Sequence, residues 1–220
     1  MEYKYISEIQ HDSWFGLVAP IHLNSFKSIS VKDFPTEEIF REINHFIFQN
    51  GNPDYLWFKI PNDPHIFHKI KLLIKVIKKY YPDQKIGTYI NCSILCNEIA
   101  KKELLDFDFI AVNINSIEPS NYLKVNPYCI DIGLKDLLEG MVGFKKSYNG
   151  HLGIYTMFFS GINDDIDNIK SLKDFLIDIK PDYISIGNYV GKGFKPVSEE
   201  FKTTLKKSFD KVPFDVIFIF

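Results

Sequence analysis

The sequence predicts an α/β fold: a single-domain partial (β/α) TIM-like barrel of about six units with parallel strands, covering residues 1–220. Short β-branched and aromatic runs alternate with amphipathic helical patterns along most of the chain. Repeated strand–helix units imply parallel strands joined by right-handed crossovers. A closed barrel needs about eight units, more than this chain provides. An open doubly wound sheet is the alternative, because periodicity does not distinguish the two.

The predicted strands are short apolar runs bounded by turn residues. They cover Leu17–Leu23, Tyr55–Ile60, Lys85–Asn91, Phe107–Asn115, Leu152–Phe159, Tyr183–Gly187 and a terminal Val216–Phe220.

Two helices are predicted by apolar stripes at helical spacing. The first stripe is formed by Ile66, Ile70, Leu73 and Ile77, and the second by Ile166, Ile169, Leu172, Leu176 and Ile179. Pro181 ends the second helix. Thr36, Asp63 and Ser198 are predicted N-caps.

Composition and charge limit the classes of partner. The net charge is −2, and among 26 basic residues only Arg41 is an arginine. Both facts argue against a nucleic-acid or membrane-surface binder, so we expect neither partner. Three cysteines, an odd number, argue against a disulfide framework. With no apolar leader or spanning run, we expect a cytoplasmic protein.

Polar side chains follow the predicted strands, at the edge where either architecture places its site. Amide and hydroxyl groups both donate and accept hydrogen bonds, which suits a polar small molecule. The candidate ligand-binding residues are Asp63, Asn91, Ser93, Asn113, Asn115, Asn163 and Asn188, and the candidate catalytic residues are Asp63 and His65.

Each candidate also has a structural interpretation. Asp63 before Pro64 is an ordinary N-cap arrangement, and strand-end Asn often closes a turn. Asn163, with Asp164, is predicted to cap the next helix. His65 and His68 have ligand spacing on a helix, but no third ligand is evident, so we expect no metal site.

Cys92 and Cys96 form a Cys-x3-Cys pair, with Cys129 33 residues further on. Four-residue spacing in a helical stretch predicts two buried thiols on one face.

Several segments, in order, resemble radical S-adenosylmethionine (SAM) proteins, above all the archaeal and bacterial group related to wybutosine-synthesis tRNA enzymes. They are Asp108–Ser116, Asp136–Phe144, Leu152–Asp164, Lys180–Ile186 and Lys195–Glu200. The resemblance covers nearly the whole chain. It implies a partial barrel with SAM bound at the strand ends.

The same resemblance exposes departures from the family pattern. The family holds a four-iron cluster on Cys-x3-Cys-x2-Cys after the first strand. Here Phe26-Lys27-Ser28-Ile29 stands at that point, and residues 1–91 contain no cysteine. Of the family Gly-Glu-Pro motif only Asp63-Pro64 is recognisable, whereas Asn91 and Ser93 match a family segment near the SAM ribose.

We therefore expect a radical-SAM-like protein without an iron–sulfur cluster, with residual SAM binding as an open question. Its partner would be a nucleoside-like or SAM-like small molecule, or a catalytically complete paralogue. The alternatives are a cluster-independent or metal-assisted enzyme using the barrel mouth, and a shortened RNA-modification enzyme that needs a partner.

Overall fold

The structure is a computed structural model of the chain, described here for residues 3–12, 15–23, 34–61, 66–191 and 193–220. Asp63 and His65 lie outside the described residues, as does the segment 24–33 after the second strand. None of the helices in the described ranges is long and apolar enough to cross a membrane.

Eight strands form one sheet in the described part of the chain. Their bounds are β1 Gln10–Asp12, β2 Gly16–His22, β3 Tyr55–Lys59, β4 Lys85–Asn91, β5 Phe109–Asn113, β6 His151–Phe158, β7 Tyr183–Asn188 and β8 Asp215–Ile219. β1 is antiparallel to β2, whereas β2–β3, β3–β4, β6–β7 and β7–β8 are parallel.

The strands lie across the sheet in the same order as along the chain. A doubly wound sheet would reverse its strand order at a switch point. The predicted fold class, α/β with the parallel strand order of a partial (β/α) barrel, is therefore confirmed, and the doubly wound alternative is wrong.

The helices are α1 Thr36–Asn50, α2 Phe67–Tyr80, α3 Glu98–Leu104, α4 Tyr122–Val125, α5 Leu134–Ser147, α6 Ile166–Ile179 and α7 Glu199–Ser208. Short 3₁₀ turns cover Cys92–Cys96 and Pro127–Cys129. Both predicted apolar stripes are buried, except that Ile166 is exposed; Ile66 lies just before α2 and the other residues lie within α2 and α6.

The predicted helix starts have different outcomes. Ser198 caps α7 by accepting a hydrogen bond from the Phe201 N–H at 3.1 Å. Thr36 is not a cap: it is the first residue of α1, and Pro35 precedes it without a side-chain bond. Asp165, rather than Asn163 or Asp164, caps α6 through the Asn168 N–H at 2.8 Å.

A carboxylate recurs just before alternate strands, exposed at Asp54 and partly buried at Asp108 and Asp182. The side chains of Asp54, Asp108 and Asp182 accept the backbone N–H of Leu17, Ile86 and Leu152, which lie in the neighbouring strands β2, β4 and β6, at 2.7, 2.7 and 2.9 Å. Lys78 of α2 pairs with Asp108, and Lys145 of α5 pairs with Asp182. Each of these hydrogen bonds joins the start of one strand to the neighbouring strand and favours one pairing register between the two.

The chain divides into two compact units. The first unit contains residues 1–90 and 97–110, and the second contains residues 91–96 and 111–220. Each has its own apolar core, with Leu56, Phe58 and Ile74 buried in the first and Ile154, Phe158 and Leu172 buried in the second.

Candidate functional site

Six of the seven predicted ligand-binding residues belong to the second unit: Asn91, Ser93, Asn113, Asn115, Asn163 and Asn188. The seventh, Asp63, lies outside the described residues. The candidate site is therefore described within the second unit alone.

Asn115, two residues after β5, has its whole amide group engaged inside the protein. Its Oδ1 accepts hydrogen bonds from Asn113 Nδ2 at 3.0 Å and from the Met157 N–H at 2.9 Å. Its Nδ2 donates to the Val125 carbonyl at 2.8 Å. Asn126 Oδ1 also accepts from the Asn115 N–H at 2.9 Å, which is why β5 ends earlier than predicted.

Asn163 is saturated in the same way. Its Oδ1 accepts from the Phe159 N–H at 2.6 Å, while its Nδ2 donates to the carbonyls of Asn115 at 2.7 Å and Met157 at 3.1 Å. Asn115 and Asn163 thus hold the loops after β5 and β6 together. A contact of either residue with a ligand stays a prediction.

The face of β6 and β7 opposite the helices carries further polar groups. Phe158 packs edge-on against Phe201 of α7, so alternate residues such as Tyr155 lie on the other face. Ser185 is the register partner of Tyr155, is 5 % exposed, and its Oγ has no hydrogen-bond partner among the described residues. Burial raises the pKa of Tyr155 above its ordinary value of 10.0.

An aromatic cluster stands at the carboxyl ends of β6 and β7. Tyr189 stacks on Phe159 with ring centroids 4.9 Å apart, and Phe194 lies edge-on to both. All three rings are partly exposed. The preceding residue, Asn188, has a buried Oδ1 that accepts no hydrogen bond from the described part of the chain. Asn188 is the register partner of Phe158 and directly precedes Tyr189 of the cluster.

Asn91 and Ser93 flank a pair of thiols. Asn91 ends β4 and is buried, and Ser93 is partly exposed in the Cys92–Cys96 turn. Cys92 Sγ lies 3.6 Å from Cys129 Sγ. This contact joins residues 37 positions apart, and no sequence spacing could have indicated it. Cys92 is buried as predicted, whereas Cys96 is partly exposed, so the prediction of two buried thiols is wrong for Cys96.

The alignments with curated relatives include only part of each relative's own length. The UPF0026 protein MJ1312 of Methanocaldococcus jannaschii is 25% identical over 178 residues, which are 80% of this chain and 54% of that protein. A UPF0026 protein of Helicobacter pylori strain J99 is 27% identical over 124 residues, 56% of this chain and 40% of that protein. The chain spans about half the length of these relatives. No protein-family model matches it.

Solved structures resemble the chain more extensively. A radical SAM methyltransferase from Sphaerobacter thermophilus matches 96% of this chain and 68% of its own, with a TM-score of 0.69 at 8% identity. SuiB of Streptococcus suis bound to S-adenosylmethionine matches 85% of this chain and 44% of its own, with a TM-score of 0.58 at 16% identity.

The chain has the radical SAM fold.

Within this fold, the described residues do not offer the donor set of a cluster. Three thiolates are needed, and the three cysteines follow β4 and β5 rather than β2. Among the described residues, no group of three or more His, Cys, Asp or Glu side chains could hold a metal ion. His68 instead pairs with Glu103 of α3 at 3.5 Å.

Large aromatic side chains pack on both faces of β3 in the first unit. Trp57 stacks on Phe15 with centroids 4.8 Å apart. It also lies where a Cβ at Gly87 would stand, 2.5 Å from the indole ring, so Gly87 is needed there. Phe58 points the other way: it is fully buried and edge-on to Phe107.

Proposed function

We propose that this protein keeps the radical SAM fold without its iron–sulfur cluster and binds a nucleoside-like small molecule at the strand ends of the second unit. Within the superfamily, the motif resemblance favours the wybutosine-synthesis-like group. The observation that carries the binding proposal is the partly exposed Phe159–Tyr189–Phe194 cluster at the ends of β6 and β7, which directly follows Asn188 with its unused Oδ1.

The loss of the cluster is supported by the distribution of cysteines. Residues 1–91 contain none, so the segment after β2 has no thiolate to offer. Cys92 and Cys129 are engaged with each other. We therefore assign no step of any reaction to a cluster in this chain.

The chemistry of the strand ends supports an uncharged ligand. The candidate contacts Asn91, Ser93 and Asn188 are all neutral, and each residue type supplies both donor and acceptor groups. Asn113 is neutral too, but its Nδ2 already donates to Asn115 Oδ1 at 3.0 Å and to the Tyr155 carbonyl at 3.1 Å, so it belongs with the scaffold. Nucleobases are recognised by such groups along their edges and by stacking of their faces on aromatic rings. An adenosine moiety, free or as part of SAM, matches both requirements.

The two saturated asparagines take a different role in this proposal. The side-chain amides of Asn115 and Asn163 are hydrogen-bonded to backbone atoms and, for Asn115, to Asn113. They therefore position the loops around the ligand. Asn188 and Tyr189 are the contacts whose removal should weaken binding without disturbing that scaffold.

Calorimetric titration of the reduced full chain with SAM, S-adenosylhomocysteine and adenosine tests the proposal. We expect saturable binding of at least one probe, weakened about tenfold by Asn188→Ala, the effect of losing about 1.4 kcal/mol. Tyr189→Leu should weaken it similarly through lost stacking. Asn50→Ala is the matched control, because Asn50 is an exposed residue at the end of α1.

Two results would contradict the proposal. One is the absence of saturable binding for all three probes. The other is equal affinity in wild type, Asn188→Ala and Tyr189→Leu, with circular dichroism showing that each variant is folded.

A further inference from the structure

Two thiols from distant parts of the sequence meet in the second unit. Cys92 is 2 % exposed and Cys129 is fully buried, and their sulfurs are 3.6 Å apart. A disulfide has a sulfur–sulfur distance of about 2.0 Å, so bond formation requires an approach of roughly 1.6 Å shared by two side chains. Neither thiol has a role in the proposed ligand site.

The environment of the pair favours one thiolate. A hydrogen bond from the Cys92 thiol lowers the pKa of Cys129 to about 7; burial opposes this, and the Tyr122 hydroxyl and the Ser93 backbone N–H assist it. The bond to Cys129, together with burial, raises the pKa of Cys92. Cys129 is thus the nucleophile at neutral pH, and Cys92 is the protonated partner beside it.

The backbone around Cys92 is packed against a helix, whereas the residues on either side of Cys129 are exposed. The Cys92–Cys96 turn is held against α5, since a Cβ at Gly140 would be 2.7 Å from the Leu95 carbonyl oxygen. Cys129 ends the 3₁₀ turn Pro127–Cys129, whose neighbours Tyr128 and Ile130 are 63% and 74% exposed. Cys129 thus lies between two exposed residues in a short turn, and local opening of such a turn would admit a molecule as small as hydrogen peroxide.

We propose that Cys92 and Cys129 form a reversible intrachain disulfide, with a hydroperoxide as the oxidant. The Cys129 thiolate attacks the peroxide, the O–O bond breaks, and hydroxide leaves with a proton as water. The Cys92 sulfur, after giving up its proton, attacks the resulting sulfenic acid; the S–S bond forms and a second water leaves. Two thiols and one hydrogen peroxide thus give one disulfide and two waters.

The bond would tie the turn that carries Ser93 to the turn that follows Asn126. Asn126 in turn holds Asn115, so oxidation would change the loops around the strand ends. The formation of the bond does not depend on the proposed ligand; an effect on affinity would rest on the proposed function.

Peptide mapping of the oxidised full chain tests the disulfide directly. Reduced protein is treated with stoichiometric hydrogen peroxide, free thiols are blocked with N-ethylmaleimide, and the unfolded digest is examined by mass spectrometry. We expect a Cys92–Cys129 cross-link, a fall from three free thiols to one, and full recovery with dithiothreitol. The oxidation rate should rise through about pH 7, rather than near the ordinary thiol value of 9.0.

Matched variants separate this pair from the third thiol. Cys96→Ser should retain the cross-link, whereas Cys92→Ser and Cys129→Ser should abolish it while keeping the circular dichroism of the wild type. If either serine variant does not fold, the presence or absence of the Cys92–Cys129 cross-link in Cys96→Ser alone decides whether the disulfide proposal holds. A Cys92–Cys96 cross-link, or sulfinic acid at Cys129 without any cross-link, would overturn the proposal, whatever the outcome of the ligand titration.

Discussion

Asparagine side chains in the second unit differ in whether their hydrogen bonds are already used. Asn115 and Asn163 satisfy buried backbone groups on two loops, so their amides are part of the scaffold. Asn188 keeps an acceptor that no described residue uses, and it directly precedes Tyr189 of the partly exposed aromatic cluster. A buried polar group without a partner costs free energy, so a ligand that donates to Asn188 would recover it.

Asn115→Ala is expected to destabilise the fold by about 3 kcal/mol. It leaves the partly buried Met157 N–H and the buried Val125 carbonyl without their partners, at about 1–3 kcal/mol each. Urea denaturation measures the free energy of unfolding, with Asn50→Ala as an exposed control expected to change it by less than about 1 kcal/mol. Equal stability of Asn115→Ala and wild type would refute the scaffold role.

At the scale of elements, the repeated carboxylate before β3, β5 and β7 sets strand register. Asp182 is held by the Leu152 N–H, by Lys145 at 3.0 Å and by His151 at 3.3 Å. Burial raises the pKa of Asp182, but these three partners outweigh it and the pKa is lowered below its ordinary 3.8. One side chain thereby connects α5 with the starts of β6 and β7.

Asp182→Asn is expected to cost about 1 kcal/mol at pH 7, a charged hydrogen bond discounted for partial exposure. Because folding lowers this pKa, the contribution is complete above 3.8 and disappears as the pH falls through the lower folded value. Thermal unfolding of wild type and variant should therefore differ at pH 7 and converge towards pH 2. Asp174→Asn, on the exposed side of α6, is the control. If the wild type and Asp182→Asn differ in melting temperature by the same amount at every pH, the charge of Asp182 does not contribute as proposed.

At the scale of the whole molecule, the strand order is the decisive feature. Strands that follow the chain order leave no switch point, so the polar residues after successive strands come to one edge of the sheet. The chain shares this fold with solved radical SAM structures. The fold is compatible with many functions, so function must be argued from the site.

The full chain is expected to retain no stoichiometric four-iron cluster after anaerobic reconstitution with iron and sulfide. Its three cysteines do not follow β2, and two of them contact each other. Iron analysis and visible absorption after desalting measure the outcome. Cys92→Ser provides the comparison, because iron bound adventitiously at the thiol pair would fall in that variant. One cluster per chain would contradict the proposed loss.

The sequence determined much of the fold because hydrophobic periodicity is local. The six internal strands were predicted within two residues at either end, and the stripes of α2 and α6 follow from spacing alone. β1 was missed, since three residues of mixed polarity carry no period. Thr36 was mistaken for a cap because propensity does not show which backbone carbonyl begins the helix.

Tertiary structure alone decided what the polar residues do. Strand ends could be located from the sequence, but hydrogen-bond partners such as Val125 for Asn115 come from another loop. The sequence gives the number of cysteines, and their spacing argues against a cluster-binding motif. Only folding, which brings residues 37 positions apart to 3.6 Å, turned Cys92 and Cys129 into a pair. Local sequence sets local structure, whereas a site depends on contacts between residues distant along the chain.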